Sequence, residues 1–256
     1  MKGIILAGGL GTRLNPLTEK HGDNKHLLPV YNRRMVELPF ETLVDAGLTE
    51  IILITGGHRP GAFLELFKNG RGHGADKLFY AYQAGQGGIA DALKLARPFL
   101  RPKEPCVTIL GDNFFEDGIK EAFREWKEDK FKGAHVLLQE TNKPWDFGVA
   151  EVNPFHQVIT SIEEKPKKPK SNLAILGCYM FDYTVWERLE EVKPSGRGEL
   201  EITDVLNDYR GFVAPELKFS VYNGFWRDLG SFDALMKVSM RLQKRKRKEC
   251  LTSTSL

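Results

Sequence analysis

An unbroken apolar run over residues 3–7 passes directly into Gly8-Gly9-Leu10-Gly11-Thr12-Arg13. Such a run is what a parallel strand buried on both faces requires. Gly8, Gly9 and Gly11 then remove the side chains that would keep a ligand from the backbone, and bare N–H groups in such a turn point at an anion. Arg13 lies inside the loop and Lys25 stands just before Leu27-Leu28-Pro29. Their spacing lets two cations reach one anion from different sides, as a triphosphate would need. A tight turn after a strand is the plainer reading of the glycines alone; the two cations favour the phosphate cradle.

Two familiar phosphate motifs fail here. A P-loop needs four residues between its glycines and then Lys-Ser/Thr, and Arg13 simply follows Thr12. Counted from Gly9 and Gly11, the third glycine of a dinucleotide fingerprint falls on Leu14, and no strand-end acid follows at the expected distance.

The rhythm downstream sets the fold class. A helix is expected over residues 35–48, stopped at Gly47, then a strand over 50–55 and a helix from Pro60 to about residue 69. Strands over 77–82 and 106–110, helices over 89–97 and 118–130, and a strand over 134–139 continue the alternation, which means a parallel sheet with crossovers. From Trp145 the period becomes two: strands over 149–152 and 158–162 flank an Asn153-Pro154 turn. A strand over 174–181, helices over 184–192 and 199–209, a strand over 218–222 and a Ser231-capped helix complete the chain. The class is α/β, with a Rossmann-like, mostly parallel central sheet flanked by helices and an antiparallel lobe grafted onto it. Residues 1–240 read as a single domain, 1–140 binding nucleotide and 141–240 binding sugar, with 241–256 as a basic C-terminal tail.

Ligands in open α/β sheets collect beyond the carboxyl ends of strands. Gln83 stands there, where an amide can both donate to and accept from a base edge; a solvated loop glutamine is the alternative. Asp112 follows the 106–110 strand within Gly111-Asp112-Asn113, a place for a hard divalent cation, unless it is an Asx turn or helix cap. Asp228, in Trp226-Arg227-Asp228-Leu229-Gly230, supplies a second acid expected at the same sheet edge.

These residues carry a resemblance. LAGGLGTRL followed by NKHLLPVYNRRM is similar to the signature of the sugar nucleotidyltransferases, in particular the glucose-1-phosphate thymidylyltransferases. It continues through GDN at 111–113, FGV at 147–149, EEKP at 163–166, RGELEITD at 197–204 and WRDLG at 226–230, nearly the whole chain in order. The resemblance implies the nucleotide-diphospho-sugar transferase fold and condensation of dTTP with glucose 1-phosphate to dTDP-glucose and pyrophosphate, for activated-sugar biosynthesis. Gly8, Gly9, Gly11, Thr12, Gln83 and the Gly88 backbone would then bind nucleotide. Arg13 would hold the departing pyrophosphate, Lys25 the triphosphate oxygens, and Asp112 and Asp228 Mg2+. Lys165 and Arg197 would hold the sugar phosphate, with Asn113, Glu164, the Gly148 backbone and Asn172 around the sugar. UTP or another sugar 1-phosphate would fit the same motifs. A non-catalytic sugar-nucleotide sensor of this fold would be expected to have lost a metal acid or the loop arginine, and all are present. Asn32-Arg33-Arg34, His26 and Arg227 depart from the family pattern. The chain also stops sooner than longer members, whose C-terminal helices serve oligomer contacts and an effector site, so a homo-oligomer is left open.

Composition excludes other classes. With 41% apolar residues disorder is no default. Residues 241–248 hold six basic side chains, and without them 31 of the 37 basic residues face 34 acidic ones. A nucleic-acid binder would instead spread positive charge over a working face; the tail is read as a solvated helix end. Cys106 and Cys178 sit in apolar strands as buried thiols, the three cysteines and six histidines lack metal-ligand spacing, and no run reaches membrane-spanning length. The chain starts directly on a strand. A cytoplasmic protein is expected, with neither nucleic-acid nor membrane partners.

Overall fold

The computed structural model describes residues 1–18, 24–153, 155, 158–211 and 216–253. The opening apolar run forms β1 (Lys2–Ala7), buried at every position. Along the chain follow the short strands β2 (Pro29–Val30) and β3 (Arg33–Arg34), α1 (Glu37–Asp45), β4 (Glu50–Gly56), α2 (Gly61–Phe67), β5 (Lys77–Gln83), α3 (Ile89–Lys94), β6 (Cys106–Leu110), β7 (Asn113–Phe115), α4 (Lys120–Glu128) and β8 (Ala134–Glu140). Then come β9 (Gly148–Asn153), β10 (Val158–Glu164), β11 (Leu173–Phe181), α5 (Val185–Glu191), α6 (Ile202–Arg210), β12 (Leu217–Val221), β13 (Trp226–Asp228) and α7 (Phe232–Ser253).

Nine strands make one sheet. β5, β4, β1 and β6 pair in parallel, as the strand–helix alternation predicts. β1 shows why its sequence runs continuously apolar: Ile4 and Leu6 join the core layer under α3, α5 and α6, while Ile5 and Ala7 join the layer under α1, α2 and α4. A third, smaller cluster packs Leu14, Met35 and Leu229 beneath Leu235 and Val238 of α7, so the C-terminal helix supports the loop that follows β1.

The sheet changes character at β11. One edge of β11 pairs with β8 along both halves, antiparallel. The other edge is shared: Cys178–Phe181 pair with β6 and Ala174 with β9, also antiparallel. The register slips between Ile175 and Tyr179. The strands β6 and β9 therefore diverge from a common neighbour, and the fork between them opens a cavity. This is the antiparallel lobe expected from the change to period two, and β10 completes it beside β9.

Several boundaries differ for physical reasons. The helix expected over 199–209 begins only at Ile202, because Leu200 is committed to α3: its N–H donates to Gly87 O at 2.8 Å and its carbonyl accepts from Ala90 N at 3.1 Å. The segment expected as an exposed helix over 118–130 is shorter and half-embedded, with Trp126 fully buried. Gly47 ends α1 with φ +86, as expected of a left-handed stop. The Asn153-Pro154 turn lies outside the described residues. Two short ladders were not anticipated, β2 with β3 and β7 with β13. Cys106 and Cys178 are buried free thiols, and burial pushes each up to about 12.

His135 is a structural histidine between β8 and β12. The Ser220 hydroxyl donates to the Glu125 carboxylate, so His135 Nε2, 2.6 Å from Ser220 Oγ, must carry the ring proton and donate it. Its Nδ1 is buried with no hydrogen-bond partner. Burial lowers the ring to about 4, against the pull of Glu125. An unfolded histidine takes its proton near pH ~6.5, so between these values the unfolded state binds more protons and stability falls as pH falls. Urea unfolding of the wild type should lose about 3 kcal/mol from this group between pH 6.5 and 4. His135→Gln should lose that part of the slope; an unchanged slope would contradict the assignment.

Candidate active site

The site begins where β1 ends. Gly8 is held so close to Gln83 that a Cβ there would stand 2.5 Å from Gln83 Oε1. Gly11 adopts φ +69, and a Cβ on it would meet the Lys25 side chain at 2.6 Å. Gly11 excludes a side chain on geometric grounds, and Gly8 could take one only if the Gln83 amide moved aside. Thr12 and Arg13 enter the following 3-10 turn, where Leu14 N donates to Gly11 O at 2.9 Å. Arg13 stays 64% exposed, with Nη2 3.7 Å from Asp228 Oδ2.

Lys25 is delivered by a second tight turn. Asn24 Nδ2 donates to Gly56 O at 2.8 Å, and its Oδ1 accepts from His26 N at 3.1 Å. This pins the turn to the end of β4. The Lys25 ammonium, largely buried, then pairs directly with Asp112. Burial alone would raise Asp112, but the Lys25 charge and hydrogen bond hold it well below the usual carboxylate range. Burial opposes the Lys25 charge as well, and Asp112 overcomes it to keep the ammonium protonated beyond its ordinary range. His26, fully desolvated beside Lys25, is lowered to about 3 and is neutral. Its Nδ1 lies 2.7 Å from Asn24 Oδ1, so Nδ1 carries the hydrogen.

The two acids do meet, though the central sheet alone does not bring them together. In the β7–β13 ladder Asp228 pairs with Asn113, and Leu229 N donates to Asp112 O at 2.8 Å. Burial raises the Asp228 carboxyl, and the Asp112 charge raises it further. Two carboxylates in one desolvated corner call for a cation. Among the described residues no cluster of three or more potential ligands forms. The two carboxylates are the donor type that a hard divalent ion takes, one or two of them being completed by substrate phosphate oxygens.

Several cavities surround these groups, among them one of about 600 Å³ lined by Arg13, Trp226 and Asp228, and two that reach the glycine turn and the fork of the sheet. The first of these two, of about 250 Å³, is lined by Gly8, Gly9, Lys25, Gln83, Gly88 and Asp112 among others. The second, of about 110 Å³, lies in the fork of the sheet and is lined by Asn113, Gly148, Glu164, Tyr179 and Asp228 among others. Lys165 lines both. It holds φ +44, an uncommon conformation for a side-chain-bearing residue, fixed by its N–H donating to Phe147 O at 3.0 Å. Its ammonium sits 3.7 Å from Glu164, whose carboxyl is raised by burial.

Other sequence candidates sit differently. Arg197 lines neither cavity; its Nη2 is bound to Glu201 at 2.9 Å and Glu164 at 3.2 Å. Asn172 is exposed and offers its backbone carbonyl to Thr141 N at 2.9 Å. Asn113 is an internal brace: its Oδ1 accepts from Trp226 Nε1 at 2.7 Å, and its Nδ2 donates to Asp112 at 3.1 Å. Sequence reasoning missed Asn24, which fixes the lysine turn, and Gln86, whose Nε2 donates to Gly8 O at 3.1 Å. No periodic signal marks either. Asn113→Ala should cost about 1–3 kcal/mol in urea unfolding, because it orphans the Trp226 N–H; stability equal to wild type would contradict the brace.

Comparisons with known proteins place the chain in a family. The nucleotidyl transferase family matches residues 2–245. A low-salt glycan biosynthesis nucleotidyltransferase of Haloferax volcanii is 35% identical over 93% of this chain, which spans 65% of that protein's length. A glucose-1-phosphate thymidylyltransferase of Xanthomonas campestris is 38% identical over 93% of this chain and 79% of its own. A Bacillus anthracis protein assigned as a glucose-1-phosphate thymidylyltransferase, solved with sucrose, superposes with a TM-score of 0.84 at 41% identity, covering 94% of each chain. With the glycine turn, its cations and the acid pair in place, this chain belongs to the nucleotidyl transferase family.

Proposed function

We propose that the chain condenses dTTP with glucose 1-phosphate to dTDP-glucose and pyrophosphate, in the cytoplasm and with Mg2+. One observation carries the reading: the two acid–cation pairs, Lys25 with Asp112 and Arg13 with Asp228, close on the mouth of the glycine turn. The glycine turn and Lys25 would take the triphosphate, and Gln83 and Gly88 would take the base. Lys165, between the cavities, would hold the sugar phosphate, with Glu164 and the Gly148 backbone at the sugar. Relatives assigned to this reaction support the choice of substrates.

A phosphate oxygen of the sugar phosphate forms a bond to the α-phosphorus as the bond from that phosphorus to the bridging oxygen breaks, and pyrophosphate departs. Nucleophile and leaving group are both phosphate oxygens, so little acid–base chemistry is needed. Positioning and fixed positive charge lower the barrier. Asp112 and Asp228 would hold the magnesium ion, which when bound supplies charge neutralisation at the phosphates. Lys25 and Arg13, now paired with these acids, would turn to the phosphate oxygens of an entering triphosphate. Arg197 would reach the sugar phosphate only by exchanging its present partners Glu201 and Glu164 for it, and Asn172 would reach the sugar only from its exposed position beside Thr141.

Pyrophosphate release should follow mixing of dTTP, glucose 1-phosphate and magnesium. Failure of every pyrimidine triphosphate with common hexose 1-phosphates would overturn the reading. Asp112→Asn and Asp228→Asn should each lower turnover by about 10²–10³-fold while the protein stays folded. Near-wild-type turnover at limiting magnesium in both would remove the metal assignment.

A further inference from the structure

Gln83 closes β5 with only 5% of its surface exposed, and its amide faces the first cavity. Both hydrogens of its Nε2 are committed. One goes to Gly88 O at 3.1 Å and the other to Asp91 Oδ2 at 2.7 Å. A peptide carbonyl and a carboxylate can only accept, so the amide cannot be turned over without setting its own oxygen against two acceptors. Chemistry fixes its orientation. The remaining Oε1 points to the glycine turn, where it stands 2.5 Å from the place a Gly8 Cβ would occupy.

Asp91 is itself set in place. A Cβ on Gly87 would come within 2.4 Å of Asp91 Oδ2, so the carboxylate lies against bare backbone at the entrance to α3. Without it, Gly88 O alone would oppose turning the amide over, so a flipped head group would meet one acceptor in place of two.

We propose that Asp91 is a positioning residue that locks Gln83 with its carbonyl oxygen toward the bound base, so that the site takes a base with a ring imino N–H. Thymine and uracil have that donor at N3; cytosine has a lone pair there, which would face the lone pairs of Oε1. Leaving a buried acceptor against an acceptor is penalised more than a merely missing contact. The assignment rests on the first cavity being the nucleotide site. It places base selection one residue behind the amide that touches the base.

The test compares kcat/KM for dTTP and dCTP, at saturating glucose 1-phosphate, in the wild type, Asp91→Leu and Asp91→Asn. In Asp91→Leu the preference for dTTP over dCTP should shrink by about tenfold, chiefly through KM for dTTP, with KM for glucose 1-phosphate unmoved. Asp91→Asn, whose amide oxygen can still accept from Gln83, should restore the preference. A purely structural role would instead lower both triphosphates and the sugar phosphate together. If Asp91→Leu does not fold, Asp91→Ala carries the same comparison with less apolar bulk. A wild type that uses dTTP, with its base preference intact in the Leu or Ala variant, overturns the Asp91 assignment alone. Loss in Asp91→Asn equal to that in Asp91→Leu overturns it too, by making the charge and not the acceptor responsible. A wild type inert with every pyrimidine triphosphate overturns the nucleotide reading and this assignment with it.

Discussion

The buried pair of Lys25 and Asp112 is the contact on which the rest of the site depends. Taking either charge out of water alone costs several kcal/mol, so each is tolerable only because the other is there. Their elements are far apart in sequence: Asp112 lies just beyond the end of β6, at the centre of the sheet, and Lys25 on a turn that Asn24 fastens to the end of β4. Pairing them fixes the distance between the glycine turn and the strand tip. Arg13 and Asp228 repeat the arrangement at the solvent side, where exposure weakens the attraction. The outer pair is therefore the easier one to open.

A second constraint comes from the single sheet. Because β11 pairs with β8 along its length but shares its other edge between β6 and β9, the strands part without breaking the layer. The gap is a small cavity of about 110 Å³. Asn113 lines it and accepts from Trp226 while donating to Asp112, so one amide joins the acid to this cavity. Leu200 clasps the start of α3 by two backbone hydrogen bonds, which ties the loop before α6 to the helix that carries Asp91. Loops from the later part of the chain thus help to shape the cavity made by the earlier part.

Much of this could be read from residues alone. The continuously apolar β1, the strand–helix alternation and the change to period two give the mixed sheet, because burial on two faces or one leaves that imprint on a sequence. Gly11 and Lys25 can be singled out in the sequence as a glycine turn with a cation beyond it, and the structure packs the two together, a Cβ on Gly11 standing 2.6 Å from the Lys25 side chain. The short β7–β13 ladder was not, although it is what places Asp228 beside Asp112: three residues per strand carry no period. Nor could sequence show that Arg197 would spend its guanidinium on Glu201 and Glu164, or that Asn113 would serve as a brace. Charge and amide groups announce that they need partners; only the fold chooses which. Lys165 was picked out by family resemblance, while its place between two cavities and its positive φ emerge only from the backbone.

Exchange of partners at the acid pair follows from these contacts. In the free protein Lys25 and Arg13 neutralise the acids, so a divalent cation must compete with ammonium and guanidinium for them. A triphosphate bound as proposed would give the same cations phosphate oxygens to turn to and would leave the acids free for metal. Calorimetric titration of magnesium into the protein, with and without a non-hydrolysable dTTP analogue, tests this most directly. Saturable magnesium binding at millimolar concentration is expected only when the analogue is present; equally tight binding without it would contradict the exchange.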